Sequence, residues 1–168
     1  MFRPIRPLVI VAVTALALAA CAESVAPRPT AADAARVCDG ISDAPAQDFL
    51  TDLRDDVDRV EAVQEPITAK VSVTHTLGAD VHVRAKPGMT AQWLARLAEC
   101  HGVREAAGMA CTSAECPLRL ARVTTSVSTT ATGFILAIRS DDPAVAREIV
   151  RRAQIVFRPL SHQAAATR

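Results

Sequence analysis

The chain has 168 residues, half of them hydrophobic, so it is long enough for one folded domain and is not disordered as a whole. Its formal net charge of +1 provides no global basic field for nucleic acid. One Trp, four Phe and no Tyr also argue against an aromatic surface that stacks bases or sugars.

The first twenty residues have the pattern of a secretory signal. Residues 1–7 carry Arg3 and Arg6 and no acidic residue, and a 13-residue apolar run follows over 8–20. A positive start before an apolar run of about 7–15 residues is typical of a signal peptide, whereas a membrane span needs about 20 residues. The alternative, a buried core helix, is disfavoured because the run has no polar face. We therefore predict a signal peptide over residues 1–20.

The apolar run ends in Leu18-Ala19-Ala20-Cys21, which resembles the lipobox of bacterial lipoproteins. The resemblance implies a diacylglycerol thioether on Cys21, cleavage before it, and acylation of the new amino terminus, as by palmitate. Two or more acyl chains anchor a protein stably in a membrane. Because Ala22 stands where an Asp favours inner-membrane retention, the resemblance implies an outer-membrane address. The alternative is an ordinary signal peptide that leaves a cysteine at this place.

The remaining sequence predicts a tether, one domain and a tail. Residues 21–36 are rich in Ala, Pro and small polar residues without an apolar period, so we predict a flexible lipid-anchored tether. Periodic patterns fill residues 37–160, which we predict to be a single domain. Residues 161–168 have no such pattern and are predicted to be a loose tail.

The first element of the domain is predicted to be an acidic helix over residues 46–63. Its apolar residues recur at spacings of four, four and three: Phe49, Leu53, Val57 and Val60. This spacing places them on one face of a helix. Pro66 is expected to end the element.

Alternation of apolar and polar residues predicts two hairpins. Residues 67–74 and 79–86 alternate, with Leu77-Gly78 as the expected turn between them. Residues 119–129 and 132–139 form the second expected pair of strands.

Two further helices complete the predicted fold. Thr90 is a suitable cap for a helix over 91–104, and Ser140-Asp141-Asp142-Pro143 has the polar cap and early Pro of a helix start. Residues 155–157 are predicted to form a short last strand. The fold class is therefore α+β: an antiparallel sheet with two helices on one face in the ferredoxin-like βαββαβ order, plus an N-terminal helix and an extra strand.

Apart from Cys21, the chain has four cysteines: Cys38, Cys100, Cys111 and Cys116. An even number in an oxidising compartment predicts two disulfides. The favoured pairing joins Cys100 to Cys116 and Cys38 to Cys111. The alternative joins Cys111 to Cys116 and Cys38 to Cys100, and the sequence leaves both open.

A soft-metal site is the rival interpretation of the same segment. Cys100, His101, Cys111 and Cys116 lie within seventeen residues, and thiolate and imidazole ligands suit Zn or Cu. Against this, the spacing is not Cys-x2-Cys, and neighbouring helical residues point about 100° apart. His101 also shares a face with apolar residues, as a core histidine would. We therefore expect no cofactor, with Zn or Cu as the alternative.

No sequence motif of an enzyme is present. The chain lacks the nucleophile-elbow, zinc-protease and phosphate-loop patterns, so we expect no enzymatic activity. Stretches such as Glu99-Cys100-His101 are similar to small exported bacterial proteins of no assigned activity and imply no role for any residue. The sequence favours an outer-membrane lipoprotein facing the periplasm, bound to the membrane by its lipid, with an envelope-structural domain or one that binds an envelope protein. The alternative is a periplasmic Cu or Zn binding protein.

Overall fold

The computed structural model describes residues 28–67, 73–109 and 113–158. In chain order the elements are α1 (Ala31–Val37), α2 (Asp43–Arg54), β1 (Val57–Ile67), β2 (Val73–Arg84), α3 (Ala91–Ala106), a 3-10 helix (Pro117–Arg119), β3 (Thr124–Thr129), β4 (Gly133–Arg139) and α4 (Pro143–Val156). The predicted signal peptide, Cys21 and the predicted tail over residues 161–168 lie outside the described residues. Within the described ranges, no helix has the length and apolar content needed to cross a membrane.

The strands form one antiparallel sheet in the order β1-β2-β4-β3. One face is apolar because strand residues alternate sides and the register aligns them. Val81 of β2 pairs with Val60 on one side and Leu136 on the other, and Leu136 pairs in turn with Val127. Helices α3 and α4 pack on the sheet, and α1 and α2 pack on α3. The core therefore lies between one sheet face and the helical layer.

The α+β class and the antiparallel sheet are as predicted, but the ferredoxin-like element order is not. Ile155 and Val156 complete α4 and Phe157 caps its end, so these residues form no strand. The inward residues of the helix and its cap recur at helical spacing and are fully buried: Ala146, Ile149, Ala153 and Phe157. The apolar stripe thus continues through the segment taken for a strand. The fourth strand is β1, which comes first in the chain and lies at the sheet edge beside β2.

The predicted helix over residues 46–63 is correct only in its first half. Helix α2 ends at Arg54 and β1 begins at Val57. The pairing shifts register between Val57 and Arg59, so that Val57 opposes Val83 and Val60 opposes Val81. A bulge adds one residue and lets a spacing of three return to the same sheet face. This spacing mimicked a helical stripe in the sequence.

The predicted turn at Leu77-Gly78 is also wrong, because β2 runs straight through it. Gly78 has a φ of +142°, and a Cβ there would meet the Ile138 carbonyl oxygen at 2.0 Å. Glycine is required at this point because the backbone of β4 approaches so closely. The chain connects β1 to β2 through residues 68–72, outside the described residues.

The folded part begins before residue 37, within the segment predicted to be a tether. Thr30 and Asp33 form a reciprocal capping box at the start of α1. Ala34 is buried against the domain, and α1 packs on α3. A short helix with one buried residue escapes detection by apolar period, so only its cap pattern marks it in the sequence.

The two later helices and the strand over 132–139 are confirmed with small changes of boundary, whereas the strand predicted over 119–129 begins only at Thr124. The Thr90 hydroxyl accepts a hydrogen bond from the Trp93 amide at 3.1 Å at the start of α3. The Asp142 carboxylate accepts from the Ala144 amide at 2.9 Å at the start of α4. Strands β3 and β4 form the second hairpin. In these regions, helix-capping side chains and the alternation of apolar and polar residues determine the secondary structure locally.

Candidate functional site

The inward face of α3 brings a histidine and a carboxylate together. His101 and Glu105 are four residues apart, a separation that places side chains one above the other on a helix. Both side chains are enclosed, at 0% and 1% exposure, and His101 Nε2 lies 3.8 Å from Glu105 Oε1. The ring of Phe49 from α2 covers the histidine, with the ring centroids 5.4 Å apart.

A cysteine from the segment after α3 completes this cluster. Cys116 directly precedes the 3-10 helix and is fully buried. Its sulfur lies 3.4 Å from His101 Nε2. The nitrogen, oxygen and sulfur atoms of His101, Glu105 and Cys116 all lie within 4.8 Å of one another. We call these three residues the buried cluster.

Helix α4 holds the cysteine segment in place through a network of charges. Arg152 Nη1 donates to the Cys116 carbonyl oxygen at 3.3 Å, and Arg151 Nη2 donates to Glu115 Oε2 at 2.8 Å. Glu148 accepts from both arginines at 2.7 Å. These charged hydrogen bonds lower the pKa of Glu148 to about 2. Helix α4 therefore fixes the backbone beside the Cys116 sulfur. Helix α3 supplies His101 and Glu105, the other two residues of the buried cluster.

The buried cluster has the donor types of a metal site but not the geometry of a catalytic triad. Imidazole nitrogen, carboxylate oxygen and thiolate sulfur are all zinc ligands. In a Cys-His-acid triad the two partners use opposite nitrogens of the imidazole ring. Here Glu105 and Cys116 both approach Nε2, and the sulfur is fully buried, where a substrate cannot reach it.

The structure corrects the predicted disulfide pairing. Cys38, the residue after α1, is bonded to Cys100 of α3, with their Cα atoms 4.9 Å apart. The favoured pairing of Cys100 with Cys116 is therefore wrong, and the Cys38–Cys100 bond belongs to the alternative pairing. Its other half involves Cys111, which lies outside the described residues. Residues 100 and 101 point about 100° apart on α3, which sends one toward α1 and the other toward Cys116.

The disulfide restrains a long segment of chain. It joins residues separated by 62 positions, and the chain-entropy relation for such a loop gives about 4 kcal/mol of stabilisation. Arg96 of α3 supports the same junction, since its Nη2 donates to the Asp39 carbonyl oxygen at 2.5 Å. Helix α1 is thus attached covalently to the helix that carries the cluster.

Of the predicted metal ligands, the structure brings together His101 and Cys116. Cys100 is committed to the disulfide, and Cys111 lies outside the described residues. Glu105 was missed by sequence reasoning. Its position four residues after His101 was the available signal, but a Glu near the end of a helix usually faces water.

The opposite face of the sheet carries exposed charges. His82 Nε2 lies 3.1 Å from Glu61 Oε2, and Arg59 Nε donates to Glu61 Oε1 at 2.6 Å. Hydrogen bonds from Arg59 lower the pKa of Glu61. Arg139 Nη2 donates to Asp80 Oδ1 at 2.5 Å on the same face. We call this surface the charged sheet face.

Comparison of the chain with protein-family models, with curated proteins and with solved structures gives no match. The residues and their geometry are therefore the basis for any function assigned to this chain.

Proposed function

We propose that the chain is a lipid-anchored protein of the bacterial envelope, held at the outer membrane with its domain facing the periplasm. The observation that carries this proposal is the Cys38–Cys100 disulfide. Disulfides persist in oxidising compartments and are rare in the cytosol. An exported domain agrees with the signal pattern of residues 1–20 and with the lipobox-like sequence that ends at Cys21.

The proposed role is non-enzymatic: the domain binds an envelope protein or supports the envelope structurally. Such a role needs a rigid scaffold with an accessible surface. The disulfide and the two packed layers provide rigidity, and the charged sheet face provides an accessible surface with both signs of charge. Charges at the rim of an interface contribute orientation and specificity more than affinity. By contrast, Cys116 and His101 of the buried cluster are enclosed.

The alternative, a soft-metal binding protein, is favoured by a single observation, the convergence of His101, Glu105 and Cys116. The ligand set differs from the predicted one because Cys100 is in a disulfide. Metal binding by the buried cluster and anchoring in the envelope are compatible with each other.

Fractionation of cells that produce the full chain tests the proposed location. The wild-type chain should be processed, partition into detergent and sediment with outer membranes. Cys21→Ser should leave an unprocessed or detergent-independent protein, because the thioether can no longer form. Cys111→Ser is the matched control, since it removes a cysteine without touching the lipobox or the buried cluster. A processed, detergent-phase Cys21→Ser protein would contradict the anchor.

The retention signal is tested separately with Ala22→Asp. The lipobox resemblance implies that an Asp at this position redirects the protein to the inner membrane. Density-gradient separation of the two membranes measures the shift. If Ala22→Asp and wild type fractionate identically, the outer-membrane address inferred from Ala22 is wrong even where the anchor itself stands.

A further inference from the structure

We propose that the buried cluster of His101, Glu105 and Cys116 is a structural zinc site. Two of its ligands come from one helical face and the third from the segment that follows the helix. A bound ion would therefore tie the end of α3 to the start of the 3-10 helix. The inference does not depend on lipid anchoring.

The distances match those between the ligands of a zinc ion. Zinc binds nitrogen at about 2.0–2.1 Å, oxygen at about 2.0–2.2 Å and sulfur at about 2.3 Å in tetrahedral geometry. Such geometry separates a nitrogen and a sulfur ligand by about 3.5 Å, and nitrogen and oxygen by about 3.3 Å. The observed separations from His101 Nε2 are 3.4 Å to Cys116 Sγ and 3.8 Å to Glu105 Oε1. The Glu105 oxygen and the Cys116 sulfur lie within 4.8 Å of one another, so the carboxylate must move closer to the other two ligands, and a water molecule would take the fourth position of the tetrahedron.

The mixture of donors favours zinc over Cu(I) and over calcium. Cu(I) favours sets of soft sulfur ligands, and calcium favours oxygen alone. One sulfur, one nitrogen and one oxygen suit the borderline character of Zn²⁺. Zinc also has no redox chemistry, which agrees with a domain that keeps a disulfide.

The charges of the ligands also favour a cation at the buried cluster. A metal-bound cysteine is a thiolate, so Cys116 and Glu105 together contribute two negative charges, while His101 binds as neutral imidazole. Buried charges are stable where they are paired or coordinate a metal. A divalent cation would offset these charges in a site whose three side chains are almost fully enclosed, together with the Arg119 guanidinium, whose Nε lies 4.0 Å from Glu105 Oε2.

The surroundings hold the three ligands in place before an ion binds. The Phe49 ring lies against the imidazole of His101. Arg152 fixes the Cys116 carbonyl oxygen, and Arg119 Nε lies 4.0 Å from Glu105 Oε2, the oxygen that does not face the histidine. Contacts of this kind orient ligands and tune metal affinity by about 10–100-fold. Three protein ligands are the number found at catalytic zinc sites, but these three are enclosed and out of reach of a substrate, so we assign the ion a structural role.

Zinc and cobalt titrations of the full chain test the site. The protein is purified in detergent without reductant, stripped of metal, and titrated with Zn²⁺ against a chromophoric chelator. Wild type should bind zinc stoichiometrically. Cys116→Ser and Glu105→Gln should weaken zinc binding by at least about 10–100-fold. Glu99→Gln, on the exposed side of the same helix, is the matched control and should bind as wild type does.

Co²⁺ distinguishes the role of the sulfur from a general loss of structure. Wild type and Glu105→Gln should both show a sulfur-to-cobalt charge-transfer band, which Cys116→Ser should lack. Circular dichroism of each metal-free variant reports whether it folds. If Cys116→Ser does not fold, Glu105→Gln still decides the matter because it preserves side-chain shape.

Three results would overturn the proposal. The first is a wild-type protein that binds no zinc. The second is zinc binding by both Cys116→Ser and Glu105→Gln that is as tight as in wild type. The third is chemical: alkylation without reduction, followed by mass spectrometry, would find Cys116 in a disulfide instead of as an alkylated thiol. The expected result of that experiment is an alkylated Cys116.

Discussion

Two histidine–glutamate pairs in this molecule differ in their surroundings more than in their chemistry. On the charged sheet face, His82 and Glu61 are 3.1 Å apart, with side chains 15% and 53% exposed. In the buried cluster, His101 and Glu105 are 3.8 Å apart, with 0% and 1% exposed. Water weakens the attraction between His82 and Glu61 although they are closer together. His101 and Glu105 are farther apart but lie in a low-dielectric interior. Enclosure and a third ligand, rather than short distance, distinguish a site from a surface ion pair.

The largest expected effect on stability comes from the Cys38–Cys100 disulfide, which lies beside the buried cluster. Replacing both Cys38 and Cys100 with Ala should destabilise the domain by about 4 kcal/mol, because the unfolded chain loses its restraint. Reductant should lower the melting temperature of wild type to a similar degree. Chemical denaturation of both proteins, with and without reductant, measures the effect.

The double variant is its own control in that experiment, since it has no Cys38–Cys100 bond to reduce. Its stability should be insensitive to reductant. A wild-type protein that also melts independently of reductant would show that the disulfide contributes nothing to stability.

The second prediction compares the two glutamates directly. In metal-free protein, Glu105→Gln should cost about 1–3 kcal/mol, the usual cost of disturbing a buried polar contact. Glu61→Gln should change stability little because Glu61 and Arg59 are about half exposed, so water screens their interaction. Denaturant midpoints of the two variants give the comparison. Equal losses would mean that enclosure does not distinguish the two pairs.

The smallest expected effect concerns the charge network that holds the cysteine segment. The pKa of Glu148 is about 2 in the folded protein and about 4.5 ordinarily, so its contribution to stability is complete above pH 4.5. This contribution is lost as the pH falls from 4.5 through 2, where the folded carboxylate becomes protonated. Glu148→Gln should therefore melt below wild type at pH 7 and at nearly the same temperature below pH 2.

Thermal melts of wild type and Glu148→Gln across this pH range test the assignment. Glu99→Gln is a useful control because it removes an exposed carboxylate from α3 instead of α4. A difference between wild type and Glu148→Gln that persists unchanged below pH 2 would contradict the proposed ion pairs as its cause.

The sequence predicted the elements whose signals are local. Caps at Thr90 and Asp142 and the alternation in β4 decide structure within a few residues. The wrong predictions of secondary structure arose where contacts between distant parts of the chain determine the conformation. A bulge in β1 returned Val60 to the core face at a helix-like spacing, and Gly78 served a close strand contact instead of a turn.

The candidate site was harder to predict than the fold because it depends on which side of α3 each residue faces. Cys100 and His101 are adjacent in sequence, yet one joins a disulfide and the other the buried cluster. The position of Cys38 near α3 follows from the packing of α1, which no local pattern shows. Glu105 resembles any helical glutamate until the structure shows that it is enclosed.

X-ray absorption at the zinc edge tests the central claim most directly, because it reports the atoms around the ion. Zinc-loaded full chain should show one sulfur neighbour at about 2.3 Å and nitrogen or oxygen neighbours at about 2.0–2.2 Å. Cys116→Ser should lose the sulfur shell, and Glu99→Gln should retain it. A wild-type spectrum with no sulfur neighbour would contradict the assignment of His101, Glu105 and Cys116 as the zinc ligands.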